Sequence, residues 1–145
     1  MTTKNIKNQG FTLVELLIVI VIIAILTVVS LVAYNGLQNQ AKTSAAQSAA
    51  DAVAKKAELY NTSKSSYPDS LSKLTDKTTG TPPVSQTGEP YYLDASTVKA
   101  GTIGTTAPAE ANTIEYTPCT DNKGAKIKYY NFSKGEAAER QIGSC

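Results

Sequence analysis

From Phe11 to Ala33 the chain carries one charged residue, Glu15, and the stretch Leu16 to Leu26 (LLIVIVIIAIL) is apolar without interruption. The pattern continues through Thr27, Val28, Val29, Ser30, Leu31, Val32 and Ala33 to Tyr34. Leu16 to Tyr34 is 19 residues, about 28 Å as an α-helix at about 1.5 Å per residue. That nearly matches a hydrocarbon core of about 30 Å, so the segment can span a membrane. Its many Val and Ile would suit a strand in water. In lipid, however, the backbone polar groups must be satisfied within the segment, which selects a helix. Beyond Tyr34 the pattern turns from aliphatic to Ala-rich and polar. Tyr34, Leu37, Ala41, Ala45, Ala49, Val53, Ala57 and Tyr60 recur at steps of three and four, a helical period. Gln38, Lys42, Gln47, Asp51, Lys55 and Glu58 form the opposite face. One helix is predicted from about Phe11 to about Asn61, with neither Gly nor Pro to interrupt it between Ala24 and Val32.

The remaining residues read as a small head. Asn61 to Ser66 ends the helix, and Tyr67 to Leu74 forms a short helical turn with Leu71 and Leu74 inward. Asp76 to Pro90, with Gly80, Pro82, Pro83 and Gly88, is expected as loop. Strands are expected at Tyr91–Leu93, Thr113–Thr117 and Lys126–Phe132. In the latter two, Ile114/Tyr116 and Ile127/Tyr129 alternate with polar neighbours, which suits a sheet with one buried face. Asp121-Asn122-Lys123-Gly124 supplies hairpin-turn chemistry between them. Residues 99–112 read as a surface loop of small residues. The expected class is α+β: a long N-terminal helix with a small antiparallel sheet packed on its second half.

Composition narrows the chemistry. The 145 residues contain no His and no Trp, which removes the commonest general base and metal ligand. Two Cys, Cys119 and Cys145, cannot alone make a Cys-rich zinc site. These absences argue against an enzyme, and no cofactor is expected. The fourteen basic residues, all Lys except Arg140, face twelve acidic ones. They form no block typical of a nucleic-acid surface; Lys123, Lys126 and Lys128 make only a small patch. Lys4 and Lys7 precede the apolar span and no Lys follows until Lys42, so the positive-inside rule puts the N-terminus in the cytoplasm and the head outside. An oxidising compartment there favours a Cys119–Cys145 disulfide; a reducing one would leave two free thiols. A secretory signal peptide would place small residues after its apolar run. Here Tyr34, Asn35, Gly36 and Leu37 follow, and the small residue, Gly10, stands before it.

Gly10-Phe11-Thr12-Leu13-Val14-Glu15, after a short leader with Lys4 and Lys7 and before an apolar helix reaching Tyr34, resembles the class III signal of type IV prepilins. That likeness implies a prepilin peptidase that cuts Gly10–Phe11 and methylates the new Phe11 amine. It implies a leader at 1–10, a transmembrane and filament-core helix at 11–34, and an extracytoplasmic head at 35–145. It further implies a subunit polymerising helically into a surface filament, driven by an assembly platform and ATPase. Membrane lipid surrounds the subunit before assembly, and DNA or a host surface are further partners of such filaments, which serve adhesion, twitching motility or DNA uptake. Glu15 would then pair with a Phe11 amine, of a neighbouring subunit or its own, and a Cys119–Cys145 loop would lie on the exposed subunit surface. Many family members carry Gly and Pro where this chain has Ala24 and Val32, so its core helix is expected to stay unbroken. Two alternatives share the sequence features: a pseudopilin of a secretion or competence system, and a monomeric bitopic protein whose head binds a ligand.

Overall fold

The computed structural model describes residues 10–80 and 84–145. Lys4 and Lys7, the expected leader up to residue 9, and Pro82 and Pro83 lie outside the described residues. The chain divides into two units, Met1–Leu37 and Gln38–Cys145. One helix, α1 (Leu13–Lys64), contributes to both.

In the first unit the helix runs unbroken through Ala24 to Val32, as the absence of Gly and Pro there requires. Its side chains are all exposed, from Leu13 at 85% to Ile22 at 49%. The stretch is long and apolar enough to cross a membrane. Thr27 folds its hydroxyl back onto the Ile23 carbonyl at 2.7 Å, which satisfies it without a partner helix.

In the second unit α1 buries Thr43, Ala46, Ala49, Ala50, Val53, Ala54 and Ala57. Ala41 and Ala45, expected on this face, are exposed. The reason is geometric. Steps of four overshoot the helical turn by about 40° each, so a stripe that keeps stepping by four winds off one face. The observed stripe holds its direction by mixing threes and fours. Its small Ala side chains lie in the core cluster that also holds residues of the sheet, so they act in packing as well as in helix propensity. The helix ends one turn later than expected, where Ser65 takes the left-handed conformation (φ 59°) and its amide bonds Asn61 O at 2.8 Å.

A short helix, α2 (Ser72–Thr75), follows, with Leu71 and Leu74 buried as expected. The stretch expected to be loop contains a two-residue hairpin, β1 (Thr78–Thr79) with β2 (Val84–Ser85). Tyr91–Leu93, expected as a strand, is not one. Its alternation instead reflects Tyr91 stacked edge-on to Tyr60 at 4.9 Å and Leu93 buried, its amide bonded to Leu74 O.

The main sheet has four strands in the order β3-β4-β5-β6: β3 (Lys99–Ala100), β4 (Thr113–Pro118), β5 (Gly124–Asn131) and β6 (Glu136–Gly143). It is mixed, because β3 runs parallel to β4 while the other pairs are antiparallel. The expected antiparallel sheet is formed by β4, β5 and β6, with the parallel β3 added beside β4, and the expectation of a loop throughout 99–112 is corrected at β3. Ile103, within the same stretch, is also buried, its amide donating to the Glu115 carboxylate at 2.7 Å. The β4–β5 connection lies where turn chemistry placed it, with Asp121 and Asn122 both at positive φ. Ile114 and Ile127, fully buried, belong to the same core cluster as Val53 and Ala57 of α1. Strand β6 was not expected; it pairs with β5 from Glu136 to Gly143 and buries Ile142.

Candidate functional site

The residues singled out at the N-terminus meet at the first turn of α1. Thr12 is its N-cap: its carbonyl accepts the Leu16 amide at 3.2 Å, and Leu13 is the first helical residue. The Thr12 hydroxyl accepts the Glu15 amide at 3.2 Å, and the Thr12 amide donates to Glu15 Oε2 at 2.7 Å. This reciprocal pair is a capping box, which satisfies two of the donors that every helix start leaves unpaired. It also sets a carboxylate at the positive end of the helix dipole. Upstream, Gly10 and Phe11 are non-helical and exposed, and a Cβ added at Gly10 would meet none of the described residues within 4 Å. The scissile bond implied by the family resemblance therefore lies in open backbone just outside the helix. An open groove of about 480 Å³ is lined by Phe11, Glu15, Leu16, Ile18 and Val19.

Glu15 is thus engaged by Thr12 within its own chain, a partner the reading of the sequence did not name. The signal was present: Thr12-Leu13-Val14-Glu15 has the Ser/Thr-x-x-Glu spacing of a capping box.

At the other end of the chain Cys119 and Cys145 are disulfide-bonded. The bond joins the start of the β4–β5 turn to the residue that closes the chain. Near it, Gly143 adopts φ 66°, and a Cβ there would lie 2.7 Å from both Gly124 Cα and a Tyr67 ring carbon. Lys126 and Lys128, two members of the small basic patch, pair with Glu139 at 3.3 Å and Glu115 at 3.7 Å. Arg140 pairs with Asp51 of α1, and Lys99 with Glu110. The patch is consequently offset by acids on its own face, and offers little to a phosphate backbone. Among the described residues no group of three or more His, Cys, Asp and Glu is placed to hold a metal ion.

Residues 5–31 match the model of the prokaryotic N-terminal methylation motif. That motif marks prepilin-like proteins, and with the long apolar helix it supports a prepilin-class membrane protein. The matched stretch takes in Gly10, Phe11, Thr12 and Glu15 and ends at Leu31. It implies processing by a prepilin peptidase and contact with membrane-associated assembly machinery, and it points to a structural protein rather than an enzyme. No curated protein and no solved structure matches the chain.

Proposed function

We propose that the chain is the precursor of a type IV pilus subunit. The leader, residues 1–10, is removed by cleavage at Gly10–Phe11, and Phe11 becomes the methylated N-terminus. Residues 11–34 hold the mature subunit in the membrane, with residues 35–145 on the extracytoplasmic side. Assembly then moves the helix from lipid into a filament core built of further copies, and the heads form the filament wall. Cleavage takes Lys4 and Lys7 with it, leaving twelve basic against twelve acidic side chains.

One observation carries this reading. Every apolar side chain of α1 before Thr43 is exposed, and the only charge between Phe11 and Ala33, Glu15, stands at the helix start beside Phe11. Acids within spans are costly, and the bonds to Thr12 cap the helix but leave the charge of Glu15 uncompensated. In a filament core the Phe11 amine of a neighbouring copy compensates the charge. Removing one partner of such a buried pair costs about 3–5 kcal/mol, since the other charge is left uncompensated. The pairing therefore favours one axial register over slipped ones.

The test is a strain expressing only Glu15→Ala. Its membrane insertion should persist or improve, and cleavage should continue because the scissile bond is unchanged. Filament yield in the sheared surface fraction should collapse. Wild-type yield would refute the pairing. Abundant filaments from the unsubstituted strain favour a pilus over a pseudopilus, and none at the surface would refute the pilus assignment.

A further inference from the structure

We propose that the β5–β6 turn and the turn of α1 beside it form a membrane-surface contact, in which Lys42 and Lys134 bind the headgroups of anionic lipid while the subunit stands in the bilayer. This rests on the reading of residues 11–34 as the membrane span. Strand β5 runs between the two ends of the head. At its start the β4–β5 turn lies just past the end of α1, where Asn122 O accepts the Tyr67 amide at 2.8 Å. At its finish the β5–β6 turn is tied to Thr43, the first buried residue of α1. The Thr43 hydroxyl accepts the Ser133 amide at 3.1 Å and donates to Asn39 O at 2.8 Å. Asn131 Oδ1 accepts the Ser133 and Lys134 amides at 3.1 and 3.0 Å. Gly135, at φ 72°, completes the turn with its amide on Asn131 O at 2.8 Å. The turn is thus held in one shape, at the end of the head where α1 enters.

The side chains at this end have membrane-surface chemistry. Phe132 lies edge-on to Tyr130 at 5.1 Å, and Lys42 Nζ stands 5.7 Å from the Phe132 ring centroid. Lys134 is exposed at the tip. Lys99, Lys126, Lys128 and Arg140 all pair with carboxylates, whereas among the described residues neither Lys42 nor Lys134 does. Glu136 is the single acid between Asn131 and Glu136, so the two Lys leave a net positive charge. Lys42 follows Tyr34 by eight residues in one helix, a rise of about 12 Å. Headgroups extend about 5–8 Å beyond the hydrocarbon. A Lys on a helix leans toward the N-terminus, here toward the span, and can snorkel the rest of the way. For a free protein, about four to eight basic residues mark an anionic-lipid site. The span already keeps this patch at the surface, so two suffice.

The experiment reconstitutes the full chain into bilayers of phosphatidylcholine, alone or mixed with phosphatidylglycerol. Brief acetylation by an uncharged water-soluble reagent, followed by mass spectrometry, gives the labelling of each Lys. Lys55 and Lys77, both exposed, serve as internal references. Lys55 is 13 residues beyond Lys42, about 20 Å of helix and about two Debye lengths away. Relative to them, Lys42 and Lys134 should label about five-fold less in the anionic bilayer than in phosphatidylcholine. That factor is about 1 kcal/mol at 1.4 kcal/mol per tenfold, the attraction of one Lys to an anionic surface. In about 1 M salt the difference should vanish. Lys42→Gln should return Lys134 to within about two-fold of its labelling in phosphatidylcholine, because the two side chains bind together. Equal labelling of Lys134 in the two bilayers would overturn the proposal, whether it is open in both or covered in both by another copy of the chain. Undiminished protection of Lys134 in Lys42→Gln would overturn it too, since mere closeness to a charged surface needs no second Lys. A chain that floats with neither bilayer would overturn the membrane reading itself, and the contact with it.

Discussion

Replacing Cys119 and Cys145 together by Ser removes the covalent link between the β4–β5 turn and the chain end but leaves every strand pairing in place. The two residues are 26 apart in sequence, and a loop of that length confines the unfolded chain by about 3.5 kcal/mol at 25 °C in the chain-entropy model. In the folded state the tail has other attachments. Strand β6 pairs with β5 over eight register positions, Ile142 is 5% exposed, and the Ser144 amide bonds Lys123 O at 3.0 Å. The loss should therefore fall on the unfolded ensemble. For a unit of this size each kcal/mol moves the midpoint by about 3–5 °C, so the head should melt about 10–18 °C lower. The assay is thermal unfolding of the mature chain in detergent, with hydrogen exchange on both forms. Amides of β6 and β5 should lose protection by the same factor, since both open with the whole head. Selective loss in β6 would show that the disulfide is needed to keep the tail docked. A midpoint shift under about 3 °C would refute the entropic account.

Gly143→Ala should cost about 2–4 kcal/mol, from a left-handed backbone that Cβ opposes and from overlap with Gly124 and Tyr67; a denaturation midpoint equal to wild type would contradict this. The Tyr116 hydroxyl donates to Pro68 O at 2.8 Å, and burial, reinforced by the nearby Asp69, pushes its pKa above the ordinary 10.0. Burial and Glu89 push Tyr91 the same way. These hydroxyls stay neutral in the fold while the unfolded chain ionises. Their contribution is thus complete below pH 10 and is lost as pH rises above it. The melting temperature should fall steeply on the alkaline side, with a shallower slope in Tyr116→Phe, and equal slopes would refute the link. At neutral pH that variant should lose about 1 kcal/mol, because Pro68 O loses its donor.

The long helix is legible in the sequence because two strong patterns, a continuous apolar run and a 3.6-residue amphipathic repeat, meet without a break. Strands β4 and β5 are legible through Ile114/Tyr116 and Ile127/Tyr129. Strand β6 is not: at the sheet edge Glu136-Ala137-Ala138-Glu139-Arg140-Gln141 stays largely exposed, and only Ile142 answers to a core. Strand β3 has two residues and exists through its pairing with Thr113 and Ile114, which local pattern cannot convey. Tyr91–Leu93 shows the converse, with alternation produced by an aromatic stack and a buried Leu in an irregular segment. At the N-terminus the lone charge of Glu15 is conspicuous in the sequence. Its partner Thr12 is less so, because the apolar run masks a four-residue capping signature.

The central claim is that this chain leaves the membrane as a processed filament subunit. Surface filaments sheared from cells and digested for mass spectrometry test it most directly. The account predicts an N-terminal peptide that begins at Phe11 and is one methyl group heavier than the encoded sequence. A peptide that still begins upstream of Gly10, or the absence of this chain from the sheared filaments while it persists in the membrane, would contradict it.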